Sequence, residues 1–364
     1  MNKATTVPDT RFWQNRRVFL TGHTGFKGGW LALWLQRLGA KVAGYALEPS
    51  TNPSLYRLAR VGDGMTDCFG DIRNLPLLTK EMQAAEPEIV IHLAAQPLVR
   101  ASYKDPVDTF SSNVLGTVHL FEAVRAASSV RAVLNITSDK CYANQEWPWG
   151  YRENDPIGGH DPYSCSKGCA ELVTSSYYKS FFKEQGVGLA SARAGNVIGG
   201  GDWSADRIVP DTVQAFTTGQ QIVLRNPMVT RPWQHVLEPL AGYLLLCQRL
   251  YEEPNRFSEG WNFGPYQEDA CSVSELVALM AKHWGGNTGW EQDKGAHPHE
   301  AHYLKLDCSK AHVQLGWKPV WRMQQAVRET VDWYAQALNE IDMQAYTLEQ
   351  IAAYQDELKG QQDG

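Results

Sequence analysis

Arg17-Val18-Phe19-Leu20-Thr21-Gly22-His23-Thr24-Gly25-Phe26-Lys27-Gly28-Gly29 decides the fold. A short apolar run enters a glycine-spaced turn. Trp30, Leu31, Trp34, Leu35 and Leu38 then recur at helical spacing until Gly39 closes the run. This reads as strand, glycine turn, helix. The turn is Gly-x-x-Gly-x-x-Gly rather than the more widespread Gly-x-Gly-x-x-Gly, but the same physics applies. Gly22 permits a tight turn, and Gly25 lets the backbone approach a pyrophosphate. Gly28 lets the helix pack near the strand, with its N-terminus facing the phosphates. A dinucleotide site is expected here; a glycine-rich turn without a ligand is the bland alternative.

Working outward, strands and helices alternate as far as residue 194. Strands are expected over 41–47, 65–69, 88–95, 132–136 and 188–194. Helices are expected over 106–127, with Phe110, Val114, Leu120, Phe121 and Val124 on one face, and over 163–184. The pattern predicts an α/β fold: a Rossmann-type doubly wound parallel sheet. Glu48 lies near the place where an acid binds the adenosine ribose, although it could equally be a solvated loop residue. No arginine sits at that strand end to hold a 2′-phosphate, which favours NAD over NADP. Ala94 and Ala95, ending the strand at 88–95, would let a flat cofactor lie against the backbone.

After Gly195 the elements shorten. Helices are expected over 209–218, 239–250, 272–283 and 323–338, and strands over 234–236, 261–263 and 302–306. The expected organisation is a cofactor domain over 1–195 with a return segment around 226–240. A smaller mixed α/β substrate lobe over 196–338 and a polar, helix-permissive tail over 339–364 complete it.

Chemistry concentrates where the run Ala132-Val-Leu-Asn-Ile136 stops in Thr137-Ser138-Asp139-Lys140, at the carboxyl edge of a buried strand, where open α/β sheets bind ligands. Tyr163 and Lys167 follow, four apart, and share a face if helical. A free phenol titrates near ~10, so ionising it near neutrality requires about 4 kcal/mol of differential stabilisation, at about 1.4 kcal/mol per unit. A nearby ammonium supplies that kind of effect.

The composition excludes several classes. Net charge is −6 and there is no Lys/Arg run, which argues against nucleic acid and anionic membranes. No apolar run reaches membrane-spanning length, and Met1 to Arg16 lack the apolar centre of a secretory signal. Seven irregularly spaced cysteines fit reduced thiols and a cytoplasmic location. No metal is expected: His297, His299, Glu300 and His302 lack the spacing of a helical zinc site. Cys165 and Cys169 read as packing residues. Trp147, Trp149 and Trp203 are loop residues able to stack on a base.

Together, Thr21-Gly-x-x-Gly-x-x-Gly28, His92-Leu-Ala-Ala-Gln96, Thr137-Ser-Asp-Lys140 and Tyr163-x-x-x-Lys167 resemble the extended short-chain dehydrogenase/reductase family. Arg193-x-Gly-Asn196-Val, Arg231-Pro-Trp-x-His235-Val and Asn262-Phe-Gly264 fit its second half. The likeness spans roughly 15–338 and is strongest to the nucleotide-sugar 4,6-dehydratases. Most of those carry Asp-Glu or a lone Glu where this chain has Asp139-Lys140, and lysine there is what members acting on CDP-glucose show. The nucleotide base rests on the resemblance alone.

The resemblance implies a tightly bound NAD held by Gly22, Thr24, Gly25, Phe26, Gly28, Asp71, Ile72, Leu93, Ala94, Ala95, Gln96, Asn113, Tyr163 and Lys167. It implies a nucleotide-sugar substrate, CDP-glucose, met by Asn196, Arg207, Arg231 and His235. Further implications are a role in deoxysugar and lipopolysaccharide O-antigen biosynthesis, and homodimers, or dimers of dimers, paired through the helices at 106–127 and 163–184. In the implied chemistry Tyr163 is the base at the C4 hydroxyl, Ser138 holds the C4 oxygen, Lys140 takes the C5 proton and Asp139 protonates the departing C6 hydroxyl. Asp139 must then be neutral to donate and Lys140 neutral to accept; a plain Asp139–Lys140 ion pair is the bland alternative. Adjacent strand residues point to opposite faces, so both can reach one sugar only if the backbone leaves β geometry there. A 4-epimerase, a dehydratase of GDP-mannose or dTDP-glucose, and a catalytically silent NAD-binding regulator are the competing readings.

Overall fold

Runs of apolar residues without alternation become strands buried on both faces. The computed structural model describes residues 6–285, 289–293, 295 and 304–361. β1 (Arg17–Thr21), β2 (Lys41–Ala46), β3 (Thr66–Phe69), β4 (Ile89–His92), β5 (Ala132–Ile136), β6 (Gly188–Ala194) and β7 (Gly260–Phe263) form a seven-stranded sheet in the order β7-β6-β5-β4-β1-β2-β3. Every pairing in it is parallel. β4, β5 and β6 are buried along their whole length. The chain reverses its direction of travel between β1 and β4, which opens a crevice at their carboxyl ends.

Helices cover both faces. α1 (Phe26–Arg37), α2 (Leu75–Ala85), α3 (106–125) and α4 (Pro162–Tyr177) belong to the first half. α5 (Ile208–Thr217), α6 (Leu237–Glu252), α7 (Val273–Trp284), α8 (Met323–Leu338) and α9 (Met343–Gly360) follow. Alternate strand residues feed two cores. Phe19 and Val133 join Leu78, Met82, Phe121 and Phe182 on one side. Leu20 and Leu134 join Trp30, Trp34, Trp261 and Trp333 on the other, in a cluster that runs from Trp13 to Leu358.

Three expectations change. The segment 261–263 is not a lobe element but the seventh strand of the main sheet, paired with β6. Phe110 does not share the buried face of α3: a π turn at Ser111–Leu115 inserts a residue and rotates the helix, leaving Phe110 and Leu115 exposed while Leu120, Phe121 and Val124 stay buried. The helix-permissive tail forms α9 and packs on the core. α9 buries Met343, Ile351, Tyr354 and Leu358, with the Tyr354 ring edge-on to Trp34 and Trp321 at 5.7 and 5.1 Å. The expected strand at 302–306 reduces, within the described residues, to an isolated bridge between Leu306 and Tyr151. His297, His299, Glu300 and His302 lie outside the described residues.

Candidate active site

Thr21 ends β1 fully buried, and its hydroxyl organises the turn that follows. It hydrogen-bonds His92 Nδ1 at 2.7 Å and accepts the N–H groups of Leu93 and Ala94 at 3.2 Å. Gly22 has φ +78°, and a Cβ there would lie 2.7 Å from the Ala94 nitrogen. A Cβ on Gly28 would lie 2.0 Å from the Gly22 carbonyl oxygen. Any side chain at either place would push α1 off the sheet. Gly25 caps α1 without a side-chain hydrogen bond, so the helix's first N–H groups remain available to an anion. Thr24 ties the turn to β2 by donating to the Leu47 carbonyl at 2.8 Å, and Glu48 beside it is exposed. Phe26 packs its ring against Gly199. Asp71 is paired with Arg73 at 2.5 Å, and Ile72 is buried beneath α3. The glycine cradle, the uncapped helix end and the flat wall from Leu93 to Gln96 fit a dinucleotide.

Asn113 lies in the π turn of α3, and its amide is engaged inside the protein. It accepts from Gln96 N at 2.8 Å and donates to Gln96 O at 3.1 Å and Ser166 Oγ at 2.9 Å. It therefore locks the Gln96 turn of the cofactor wall to α4, which carries Tyr163 and Lys167.

The tip of β5 rests on a buried ion pair. Arg193 Nη2 meets Glu171 Oε2 at 2.7 Å, Ser191 donates to the same carboxylate at 2.6 Å, and the Thr137 hydroxyl donates to its other oxygen. Burial opposes ionisation of Glu171, yet Arg193 and the two hydroxyl donors carry its carboxyl below the ordinary value. Just beyond, Ser138 is still extended, and Asp139–Cys141 form a 3₁₀ turn. Ser138 Oγ caps that turn, accepting from Lys140 N at 3.2 Å and donating to Asp139 Oδ1 at 3.0 Å. The chain thus leaves β geometry at the residues that could not otherwise face one substrate. Asp139 is 5% exposed. Burial raises its carboxyl above the ordinary value, against the opposing pull of Lys140, the Ser138 hydrogen bond, Lys27 and Arg231.

α4 begins where Asp161 accepts from Ser164 N at 2.9 Å and Pro162 occupies the first turn. Tyr163 and Lys167, one turn apart, are both buried. Burial pushes the Tyr163 phenol up to about 12, and the Ser138 hydrogen bond and Arg207 pull the other way. Burial, with the charge of Lys27, lowers Lys167 to about 8. The Lys167 ammonium donates to the Ile136 carbonyl at 3.3 Å. Ser138 and Arg207 thus favour the phenolate, and Lys167 stands one helical turn away from the phenol.

The substrate-side residues divide. Asn196 follows β6 and its carbonyl accepts from Gln234 N at 3.0 Å. Arg207 is paired with Asp202 at 2.8 Å, and Arg231 lies close enough to Asp139 to act on it. His235 is not with them. Its ring is fully buried against Trp321 and Trp30, at 4.8 and 5.9 Å, and burial lowers it to about 3, so it is a neutral core residue. Trp203 stands edge-on to Tyr334 at 5.1 Å, and Trp147 stacks between Trp149 and Tyr151. No role was expected of Lys27, Asp161, Glu171 or Asp202, and Arg193 figured only within the Arg193-x-Gly-Asn196 motif. Asp161-Pro162 carried a readable helix-start signal; the others had no local signature. Among the described residues no cluster of His, Cys, Asp and Glu could hold a metal ion, and no helix is long and apolar enough to cross a membrane.

CDP-glucose 4,6-dehydratase of Salmonella typhimurium strain LT2 is 55% identical over 351 residues, covering 95% of this chain and 98% of the relative. The solved structure of dTDP-glucose 4,6-dehydratase from Bacillus anthracis in complex with NAD superposes with a TM-score of 0.74 at 20% identity, covering 89% of this chain and 98% of that one. UDP-glucose 4-epimerase from Stenotrophomonas maltophila, with NAD and formylated UDP-arabinopyranose bound, gives 0.77 at 22% identity, covering 90% of this chain and all of that one. At such identities the two structures establish the fold alone, a parallel Rossmann-type sheet flanked by helices. A sequence profile described as GDP-mannose 4,6 dehydratase matches residues 19–330, and the chain therefore belongs to the GDP-mannose 4,6 dehydratase family.

Proposed function

We propose that the chain is an NAD-dependent CDP-glucose 4,6-dehydratase, forming CDP-4-dehydro-6-deoxy-D-glucose and water. The observation that carries this reading is the 3₁₀ turn at Asp139–Cys141, which breaks the strand so that Ser138, Asp139 and Lys140 can share the cleft of Tyr163. The 55% identity to the Salmonella enzyme supports cytidine as the base.

NAD, when bound by the Gly22–Gly28 turn and the Leu93–Gln96 wall, supplies a hydride acceptor at C4 of the hexose and a hydride donor at C6. The chain's own residues move the protons. Ser138 holds the C4 oxygen and Tyr163 takes its proton. The ketone acidifies the C5 hydrogen, and Lys140 removes it. Asp139, which burial favours in its uncharged form, gives a proton to the leaving C6 hydroxyl. Asn196, Arg207 and Arg231 hold the nucleotide sugar, the arginine forks suiting a diphosphate. The cofactor unit is residues 1–195 joined by α6 and β7, with the remainder of 196–338 closing over the substrate. Val107, Leu115 and Leu172 project from α3 and α4, 77%, 47% and 62% exposed, which supports a homodimer paired through those helices. The location is the cytoplasm.

Incubation with CDP-, dTDP-, UDP- and GDP-glucose and GDP-mannose, read by mass spectrometry for loss of water, tests the reading. Water loss from CDP-glucose alone is expected. Isomerisation without water loss would make the protein an epimerase, which has no use for Asp139-Lys140.

A further inference from the structure

Lys27 sits in the first turn of α1, between the glycines of the cofactor turn. Its ammonium is half-buried and makes no hydrogen bond or ion pair with a described residue. The loop over 199–207 docks on this same helix end. Trp30 Nε1 donates to the Gly200 carbonyl at 2.9 Å, and a Cβ on Gly199 would lie 3.1 Å from the Phe26 ring. Arg207 closes that loop and lies near enough for its charge to act on Lys27. Burial, followed by repulsion from Arg207, lowers Lys27 to about 8, while Asp139 and Asp202 act in its favour. Asp202 is already committed: it pairs with Arg207 at 2.8 Å and accepts from Ser204 N at 3.1 Å. The charge of Lys27 also acts on Asp139 and Lys167, so it is within electrostatic range of the reacting centre as well as of Arg207. Two cations converging on a half-buried space repel each other, and an anion bound between them turns that repulsion into attraction.

We infer that Lys27, reaching out of the cofactor turn, is a ligand of the nucleotide sugar's diphosphate and shares it with Arg207 across the cleft. The assignment rests on the reading of this cleft as a nucleotide-sugar site. The cofactor's own diphosphate has the same chemistry, and the experiment separates the two sources. With Lys27 in this role, one short segment holds both bound molecules in register.

The test uses NAD-loaded enzyme with Lys27→Met, which keeps the aliphatic stem, and Lys27→Arg, which keeps the charge. Unfolding curves confirm that each is folded, and Lys27→Gln replaces the methionine variant if it is not. Calorimetric titration with CDP and with cytidine, NAD retention on gel filtration, and kcat and KM for CDP-glucose are then compared. Loss of a charge-assisted hydrogen bond to phosphate predicts CDP binding about 10- to 100-fold weaker in Lys27→Met. KM should rise comparably, with cytidine affinity and NAD retention unchanged and most of the loss recovered in Lys27→Arg. Unchanged CDP affinity and KM would overturn the assignment. A loss confined to NAD retention would assign Lys27 to the cofactor instead and overturn it equally. A wild type that binds neither CDP nor CDP-glucose would overturn the reading of the cleft itself.

Discussion

Replacing Glu171 with glutamine tests how firmly the reacting tip of β5 is held. Glu171 receives Arg193, Ser191 and Thr137, and the last of these immediately precedes Ser138. The amide keeps the volume but removes the charge. Arg193, 5% exposed, is then left with Tyr142 Oη at 2.7 Å and the Glu153 carbonyl at 3.0 Å as its partners. Leaving one member of a buried ion pair uncompensated costs about 3–5 kcal/mol. At about 2.1 cal/mol/K of unfolding entropy per residue over 364 residues, that lowers Tm by about 4–7 °C. Since the folded carboxyl ionises below its unfolded value of about 4.3, the pair's contribution is full above that pH and fades as pH falls through the folded value. Urea and thermal unfolding of Glu171→Gln, and of Glu171→Leu combined with Arg193→Met, measure this. The double variant should recover most of the loss, because two apolar groups leave no orphaned charge. A loss below about 1 kcal/mol in Glu171→Gln would refute the claim that this charge pair anchors the strand tip.

Three further outcomes follow. Lys140→Ala should still oxidise the substrate at C4, seen as reduced-cofactor absorbance, but release no keto-deoxy sugar; full turnover would remove this lysine from the elimination. Lys167 titrates near 8 in the folded protein against an ordinary 10.5, so its charge destabilises the fold below pH 8 and that penalty disappears by about pH 10.5. Cofactor-free Lys167→Met should accordingly be about 3 kcal/mol more stable than wild type at pH 7, with the difference shrinking as pH rises; a pH-independent difference would contradict the cause given. Removing α9 should destabilise the whole chain. It uncovers Trp34 and Trp321 and deprives the buried Glu238 carboxylate of the Tyr354 hydroxyl that donates to it at 2.7 Å. An unaltered unfolding curve would show that the helix is dispensable.

The doubly wound sheet was legible because its signals are local: the Thr21–Gly28 turn, the unbroken apolar run at 132–136, and the four-residue spacing of Tyr163 and Lys167. What was missed depends on contacts distant in sequence. The packing of α9, though not its helicity, was hidden because its buried seam, Met343, Thr347, Gln350, Ile351, Tyr354 and Leu358, mixes apolar with polar residues. Thr347 accepts from Trp333 Nε1 at 2.9 Å and Gln350 donates to the Glu329 carbonyl at 2.8 Å, so polarity there does not mean exposure. Phe110 was misplaced because a π turn at Ser111–Leu115 breaks the 3.6-residue period, and Gly116 just after it sits within an unbroken helix rather than ending one. His235 looked like a ligand because its motif neighbour Arg231 does approach the cleft, whereas the short pairing of Gln234–His235 with Val197–Ile198 turns its ring into the core.

In the proposed reaction a ketone made transiently at C4 enables loss of the C6 hydroxyl, and the hydrogen taken from C4 is delivered to C6. CDP-glucose carrying deuterium at C4, converted in ordinary water and read by mass spectrometry and NMR, tests it directly. The account predicts deuterium at C6 of a keto-deoxy product and a solvent hydrogen at C5. Deuterium still at C4 of a hexose that has kept its oxygen, or lost to solvent, would contradict it.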